Sequence, residues 1–169
     1  MIKEIDSIDI SPLVTAYQEL EKDMVWYESA DKQVNLQAIH LKRQTSLQYR
    51  ESENPWISSV GRLRDNESLF NNLNPFFKDT IFETIINKYK LVRTRLMWVP
   101  QFSCYSMHKD QSLRLHIPLI TNPDCYFVFK QGLIEHLQCG KVYSVNTTEY
   151  HTFINCSSSP RLHLMGVIT

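Results

Sequence analysis

From Ser103 to the C-terminus the chain breaks into short strand-like runs, near 103–108, 113–120, 125–130, 133–137, 141–146, 151–156 and 161–168. Between them lie Thr121-Asn122-Pro123-Asp124, Gln131-Gly132, Cys139-Gly140, Asn146-Thr147-Thr148 and Ser157-Ser158-Ser159-Pro160. These residue types supply the backbone angles and local hydrogen bonds that a reversal needs. Many short strands at even spacing must cover one another's edges and faces, which predicts a β-sandwich or barrel.

The first hundred residues follow a different pattern. Residues 1–10 read as an extended lead-in. Ser11-Pro12 is a helix-start signal, and Leu13, Ala16, Leu20 and Met24 recur at helical steps to about Trp26 or Tyr27. Val34 to Leu41 alternates as a half-buried strand does. Residues 43–65 are polar and irregular, the composition of a loop such as a lid. A second helix is expected from Pro75 to about Tyr89, with Phe76, Phe77, Ile81, Ile85 and Ile86 as its apolar stripe. Leu91–Val99 then reads as a strand that Pro100 ends, with Arg93, Arg95 and Met97 on one face and Val92, Thr94, Leu96 and Trp98 on the other. The expectation is one domain over 1–169, mainly β with N-terminal helices: helices and supporting strands over 1–102, and a catalytic β core over 103–169.

A chain of 169 residues can bury a real core. Its 18 basic and 18 acidic residues balance, which argues against a nucleic-acid partner. No run of apolar residues is long enough to span a membrane, and the N-terminus lacks the apolar segment of a secretory signal. Cys104, Cys125, Cys139 and Cys156 form no Cys-x-x-Cys pair, so they read as free thiols of a cytoplasmic protein, with Cys125 and Cys156 as small buried hydrophobes.

The chemistry gathers in His108-Lys109-Asp110-Gln111-Ser112-Leu113-Arg114-Leu115-His116. In an extended segment His108 and Asp110 point to the same face and can reach one ion. His151 comes 41 residues after Asp110, a separation that can return the chain to a neighbouring strand of a two-sheet barrel. Two imidazoles and one carboxylate suit non-haem Fe(II), with positions left open for O2 and a chelating acid. Arg161 lies ten residues beyond His151, across one turn. It is expected on the strand adjacent to His151, where a guanidinium can hold the far carboxylate of a dicarboxylic acid by two parallel hydrogen bonds. A His-x-Asp alone occurs often by chance, and the weight rests on the ordered set.

Arg114 and His116 share a face of the next strand. They could be donors to the near carboxylate of a co-substrate, or an arginine paired with a surface acid and a core histidine. Arg93 and Arg95 share a strand face with no acidic neighbour in that run; they are expected to be solvated, with the lining of a substrate channel as the alternative. Trp56, Trp98 and Tyr105 are expected in the core, with a pocket lining as the alternative. His40, His136 and His163 are expected to be structural or at the surface.

Over Ser106 to Val167 the chain resembles the Fe(II)/2-oxoglutarate-dependent oxygenases of the aspartyl/asparaginyl β-hydroxylase group, which includes small bacterial proline hydroxylases. The likeness is carried by His108-x-Asp110, Arg114-Leu115-His116-Ile117-Pro118-Leu119, Asn122-Pro123, Gly140-x-x-Tyr143, Val145-Asn146-Thr147, His151, Asn155 and Arg161-Leu162-His163-Leu164. The first hundred residues show no such likeness. The resemblance implies a double-stranded β-helix, or cupin-like jelly roll. It implies His108, Asp110 and His151 as iron ligands, Arg161 as the clamp on the side carboxylate of 2-oxoglutarate, and Arg114 and His116 near its chelating end. It implies no catalytic side chain beyond the metal site. Cofactors would be Fe(II), 2-oxoglutarate as co-substrate and O2. The substrate would be an amino acid or a polypeptide, hydroxylated with release of succinate and CO2. Some β-hydroxylases lack the carboxylate ligand, whereas this chain has Asp110 as the proline hydroxylases do. Their membrane anchor and helical repeat have no counterpart in the sequence.

Two other readings stand beside the hydroxylase: a cupin-like domain that binds a ligand or partner without oxidation, and a metal-dependent cupin isomerase or dioxygenase without co-substrate. A shared fold excludes neither. Arg161 separates them, since it would have no task in either.

Overall fold

The computed structural model describes residues 1–28, 42–61 and 65–168. In chain order its elements are β1 (Ile2–Ser7), α1 (Ser11–Leu20), β2 (Tyr27–Glu28), β3 (Arg43–Ser46), β4 (Gln48–Tyr49), β5 (Asn72–Leu73), α2 (Ile81–Tyr89) and β6 (Leu91–Val99). There follow β7 (Ser103–Cys104), β8 (Arg114–Ile120), β9 (Cys125–Phe129), β10 (Ile134–Glu135), β11 (Lys141–Val145), β12 (His151–Asn155) and β13 (Arg161–Ile168). Among the described residues, a large antiparallel sheet runs β1-β11-β8-β13-β6-β3-β2, a smaller one runs β10-β9-β12-β7, and β4 pairs with β5. This is the mainly-β, jelly-roll architecture expected of the chain.

Alternation along the strands explains how the large sheet is covered. In β13, Leu162 and Leu164 face one way, into a core shared with Leu96, Leu115, Ile117 and Leu119 and with Leu13 and Tyr17 of α1 and Phe82, Ile85 and Ile86 of α2. Arg161, His163 and Met165 face the other way, and all three are buried. The small sheet closes over that second face with Phe127, Phe129 and Phe153, which pack with Val99, Tyr143 and Val145. A sheet covered on both faces needs an apolar stripe toward the helices. Its other face can carry charge only if that charge has partners or a cavity.

The extended lead-in is strand β1, which pairs with β11. The rest of the N-terminal half departs from expectation in several places. Helix α1 stops at Leu20 and continues only as a 3-10 turn to Asp23, and Ile10 rather than Ser11 stands at its N-cap. The helix expected from Pro75 is two pieces. A 3-10 turn at Pro75–Phe77 is capped by Asn74, whose side chain accepts from the Phe76 amide. The backbone then turns left-handed at Asp79 (φ 61°), and α2 restarts after Thr80, with Glu83 reaching back to the Asp79 amide at 2.7 Å. The stretch from 43 is not all loop, because β3 pairs with β6. The strand expected at Val34–Leu41 and His40 lie outside the described residues. Cys125 is buried as expected, but Cys156 is exposed, one residue past the end of β12. No helix among the described residues is long and apolar enough to cross a membrane.

Strand β6 carries a bulge that matters for the site. Its pairing with β13 shifts between Met165 and Val167, and Arg93 opposite adopts a left-handed backbone (φ 53°). That conformation costs a non-glycine residue about 1–2 kcal/mol. Across the bulge Gly166 is the residue that fits: a Cβ there would lie 2.9 Å from Thr94 Oγ1 and 3.2 Å from Leu91 Cβ. Thr94 Oγ1 cannot easily yield, since it donates to the buried Gln48 Oε1 at 2.8 Å. Gly166→Ala is therefore expected to destabilise the protein by about 1–3 kcal/mol in urea unfolding, the cost of overpacking a filled core.

Candidate metal centre and its cavity

His108 lies beyond β7, where the chain still runs beside β12. The two histidines form an isolated antiparallel bridge: the His108 amide donates to the His151 carbonyl and the His151 amide to the His108 carbonyl, both at 2.9 Å. The imidazole centroids are 4.5 Å apart. Asp110, two residues on, is held by its amide on the Thr147 carbonyl at 2.8 Å. One ligand atom from each of His108, Asp110 and His151 can be chosen so that all lie within 4.8 Å of one another.

Both rings are oriented by the same device. His108 Nδ1 lies 2.7 Å from the Ser106 carbonyl and His151 Nδ1 lies 2.9 Å from the Glu149 carbonyl. A carbonyl can only accept, so Nδ1 carries the proton in each ring and Nε2 keeps its lone pair. This is the usual way a protein prepares an imidazole to bind a metal. Burial, only partly countered by the Glu149 contact, holds His151 below its ordinary pKa. It is a neutral donor at pH 7.

A cavity of about 360 Å³ opens beside these three residues. Its far wall is the charged face of the large sheet, including His116, His163 and Arg95. Here the structure decides three expectations. His163 is buried and lines the cavity, so it is not at the surface. Arg93 and Arg95 are 3% and 5% exposed, so neither is solvated: the bulge turns Arg93 inward, and Arg95 lines the cavity, as the channel alternative had it. Arg161 is not on a strand adjacent to His151. The turn at 157–160 carries the chain from the small sheet to the large one, so β13 faces β12 across the interior. Arg161 thus comes from the opposite sheet and lies behind the cavity lining, its guanidinium 4.0 Å from the centroid of the Phe153 ring and against His163.

Arg161 is fully buried, and burial pushes its pKa down to about 10, which leaves it charged at neutral pH. Its Nη1 meets His163 Nδ1, while Nε and Nη2 have no hydrogen-bond partner among the described residues. Among these residues both ring nitrogens of His116 and Nε2 of His163 are likewise unpartnered. Burial, followed by the charge of Arg161, drives both imidazoles well below the ordinary histidine pKa. Arg95 donates to Gln44 Oε1 at 3.0 Å and touches Met165 Sδ, and it has no acidic partner among the described residues.

Arg114 does pair with an acid, though not at the surface. Its Nη1 donates to Glu67 Oε2 at 2.8 Å and its Nη2 to Glu67 Oε1 at 2.5 Å. Glu67 also receives Arg93 Nη1. Of the aromatics, Tyr105 lines the cavity, and burial pushes its hydroxyl up to about 12. Trp56 packs on Phe76 and Phe77, and Trp98 lies under the Arg43 guanidinium. His136 Nδ1 lies 2.9 Å from the Cys125 carbonyl. Glu67 and His163 are the residues of this region that the sequence did not single out. One signal pointed to His163: Arg-Leu-His occurs at 114–116 and again at 161–163, on strands that pair directly.

Burial would raise the Glu67 carboxyl, but the Arg114 hydrogen bonds and charge, with Ser112 and Arg93, overcome this and hold it at about 2. A carboxyl depressed on folding stabilises fully above its unfolded pKa, and that share is lost as the pH falls from about 4.5 toward 2. Its size is on the order of 3 kcal/mol. Glu67→Gln is expected to lose about 3–5 kcal/mol at pH 7 by leaving buried cations unpaired. Its stability should also fall less steeply below pH 4.5. Urea unfolding at a series of pH values reads both effects.

A family model described as aspartyl/asparaginyl beta-hydroxylase matches residues 19–168. The match reaches well into the N-terminal half, where sequence reading found no likeness. No curated protein matches the chain by sequence. Several solved structures share its fold. A 2OG-Fe(II) oxygenase-family oxidoreductase from Burkholderia pseudomallei aligns with TM-score 0.60 at 13% identity, over 98% of this chain and 84% of that one. A prolyl-4-hydroxylase from Pseudomonas putida aligns with TM-score 0.57 at 9% identity, over 99% and 91%. HygX from Streptomyces hygroscopicus, solved with nickel, 2-oxoglutarate and hygromycin B bound, aligns with TM-score 0.53 at 11% identity, over 98% and 81%.

Proposed function

The chain belongs to the aspartyl/asparaginyl beta-hydroxylase family, and from that premise we propose that it hydroxylates an amino acid, free or within a polypeptide, using Fe(II), O2 and 2-oxoglutarate. In this reading His108, Asp110 and His151 hold the metal. Arg161 holds the side carboxylate of 2-oxoglutarate, with His116 and His163 beside it. The observation that carries the reading is a three-donor set on a cavity whose lining residues His163 and Phe153 are backed by a buried guanidinium, Arg161, with no acidic partner among the described residues.

The residues present fit both groups. Two Nε2 lone pairs and a carboxylate on one side of a centre suit Fe(II) and leave positions open. Arg161 offers Nε and Nη2, the two parallel donors a carboxylate takes. Leaving a buried charge without a partner is costly, so a site that keeps one is built for a ligand that supplies the counter-charge.

When bound, the iron, O2 and 2-oxoglutarate supply the oxidising power: one oxygen atom goes to a substrate C–H bond and the other to succinate, with loss of CO2. The chain supplies position and surroundings. The Ser106 and Glu149 carbonyls fix the two imidazole planes. Arg161 can only donate to His163 Nδ1, so His163 carries its proton on Nε2 and is a neutral donor there. Phe127 and Phe153 line the cavity and exclude water. Arg95, Gln44 and Tyr105 occupy another part of the wall, and a polar or anionic group of the substrate would find donors there. The cavity lies near the small end of ligand pockets, which suits an amino-acid-sized reacting group beside the co-substrate.

Anaerobic titration of the protein with Fe(II) and then 2-oxoglutarate should develop the weak visible charge-transfer band of the chelate. His108→Ala and His151→Ala should lose both the band and succinate production. Full turnover by His108→Ala would sink the ligand assignment. Arg161→Gln should keep metal affinity while its 2-oxoglutarate requirement rises roughly ten- to a hundredfold, the worth of hydrogen bonds to a charged group. An unchanged requirement would remove Arg161 from the site.

A further inference from the structure

Arg114 stands next to Asp110 and shares Glu67 with Arg93, yet the proposed reaction gives Glu67 and Arg93 no task. Glu67 opens a 3-10 turn, Glu67–Leu69, whose cap is the Asn66 side chain accepting from the Ser68 amide. Its side chain is 3% exposed and receives both arms of the Arg114 fork. The same Arg114 Nη2 lies 3.4 Å from Asp110 Oδ1. The other carboxylate oxygen of Asp110, Oδ2, is 3.9 Å from His151 Nε2.

A guanidinium whose two terminal nitrogens are closed on one carboxylate cannot also present that fork to a co-substrate. Of the Arg114 nitrogens only Nε has no hydrogen-bond partner among the described residues. Arg114 still lines the cavity, but its terminal fork is committed to Glu67 and its Nη2 lies toward Asp110. Arg93 adds a second tie. Beyond Glu67 it donates to the Ser59 carbonyl at 3.3 Å and to the Gly61 carbonyl at 2.7 Å, and Gly61 lines the cavity. Its side chain gets there from a left-handed backbone inside a strand, a strain that persists only where surrounding structure enforces it.

We propose that Glu67 is a positioning residue: through Arg114 it fixes the Asp110 carboxylate in its ligating orientation, and through Arg93 it joins that carboxylate to the segment Ser59–Gly61 at the edge of the cavity. The inference rests on the reading of Asp110 as a metal ligand. A merely structural Glu67, one that only neutralises two buried arginines, would affect stability and leave the metal alone. An Arg114 that serves the co-substrate would affect 2-oxoglutarate and leave the metal alone. Support for one ligand by its neighbours is typically worth ten- to a hundredfold in metal affinity.

The test is Mn(II) binding to the full chain, read by electron paramagnetic resonance, because Mn(II) takes the same nitrogen and oxygen donors without turning over. Wild type, Glu67→Gln, Arg114→Lys, Asp110→Ala and the two double variants with Asp110→Ala are compared, and 2-oxoglutarate affinity is measured on each Mn(II)-saturated protein. Glu67→Gln and Arg114→Lys should each weaken Mn(II) binding roughly ten- to a hundredfold. That loss should vanish when Asp110 is already Ala, the signature of action through one partner. Affinity for 2-oxoglutarate should stay within about threefold of wild type, below the loss expected of a broken charged hydrogen bond.

The proposal is overturned if Glu67→Gln leaves Mn(II) affinity unchanged, or lowers it equally with and without Asp110. It is also overturned if Arg114→Lys weakens 2-oxoglutarate rather than Mn(II). Should Glu67→Gln fail to melt cooperatively, the Arg114→Lys and Asp110→Ala cycle decides alone. Asp110→Ala and His151→Ala proteins that bind Mn(II) as wild type does would instead sink the underlying ligand assignment, whatever Glu67 does.

Discussion

The large sheet is buried on both faces, and the two faces need opposite chemistry. Along β13 the chain alternates Arg161, Leu162, His163, Leu164 and Met165. The leucines lock onto the helices, while the arginine and histidine turn toward the smaller sheet. Burying the first face supplies the hydrophobic driving force, on the order of 1.5–3 kcal/mol for each large apolar side chain. Burying the second costs free energy unless its charges find partners. The helices are therefore part of the site in an energetic sense: their contact with the sheet holds a strand whose reverse side would not be buried on its own account.

Two kinds of compensation meet on that second face. Arg93 and Arg114 share Glu67, a pairing internal to the chain. Arg161 and Arg95 have no acid among the described residues. The distinction divides the basic residues of the interior. Those already neutralised brace the protein, and those left open are the ones that the proposed reading gives to a ligand. His116 and His163 fall with the second kind, since burial keeps them uncharged and they have nitrogens without a partner among the described residues.

What could be read from the sequence follows the same line. The C-terminal strands were legible because alternation and turn residues are local signals, and each expected run from 103 onward contains a strand. The set His108, Asp110 and His151 was legible because an i, i+2 pair on an extended chain needs no tertiary knowledge, and the structure does bring the three together. The location of Arg161 was misread because a short turn can join neighbours in one sheet or cross between two, and Ser157–Pro160 does not say which. For Arg93 and Arg95 solvation stood ahead of a channel lining because it is the default for an arginine with no acid nearby in sequence, and the structure takes the other side for Arg95. The partner of Arg93, Glu67, is 26 residues away, in a stretch without periodicity. The broken helix at 78–80 was hidden for a related reason: Phe76, Phe77 and Ile81 are apolar at helical spacing, and only the left-handed turn at Asp79 separates them.

The bridge between His108 and His151 has a further meaning for how such a site can change over time. Both histidines are placed by main-chain hydrogen bonds to each other, and both rings are steered by main-chain carbonyls at Ser106 and Glu149. No neighbouring side chain is required for either arrangement. The spacing of the two imidazoles is thus set first by the backbone, with Phe127 and Phe129 packed against the His151 ring. Gln44, Arg95, Met97 and Tyr105 line the rest of the cavity and take no part in the hydrogen bonds that place the imidazoles. The centre and its surroundings are separable inheritances, one written in the peptide chain and the other in the side chains that specify a substrate.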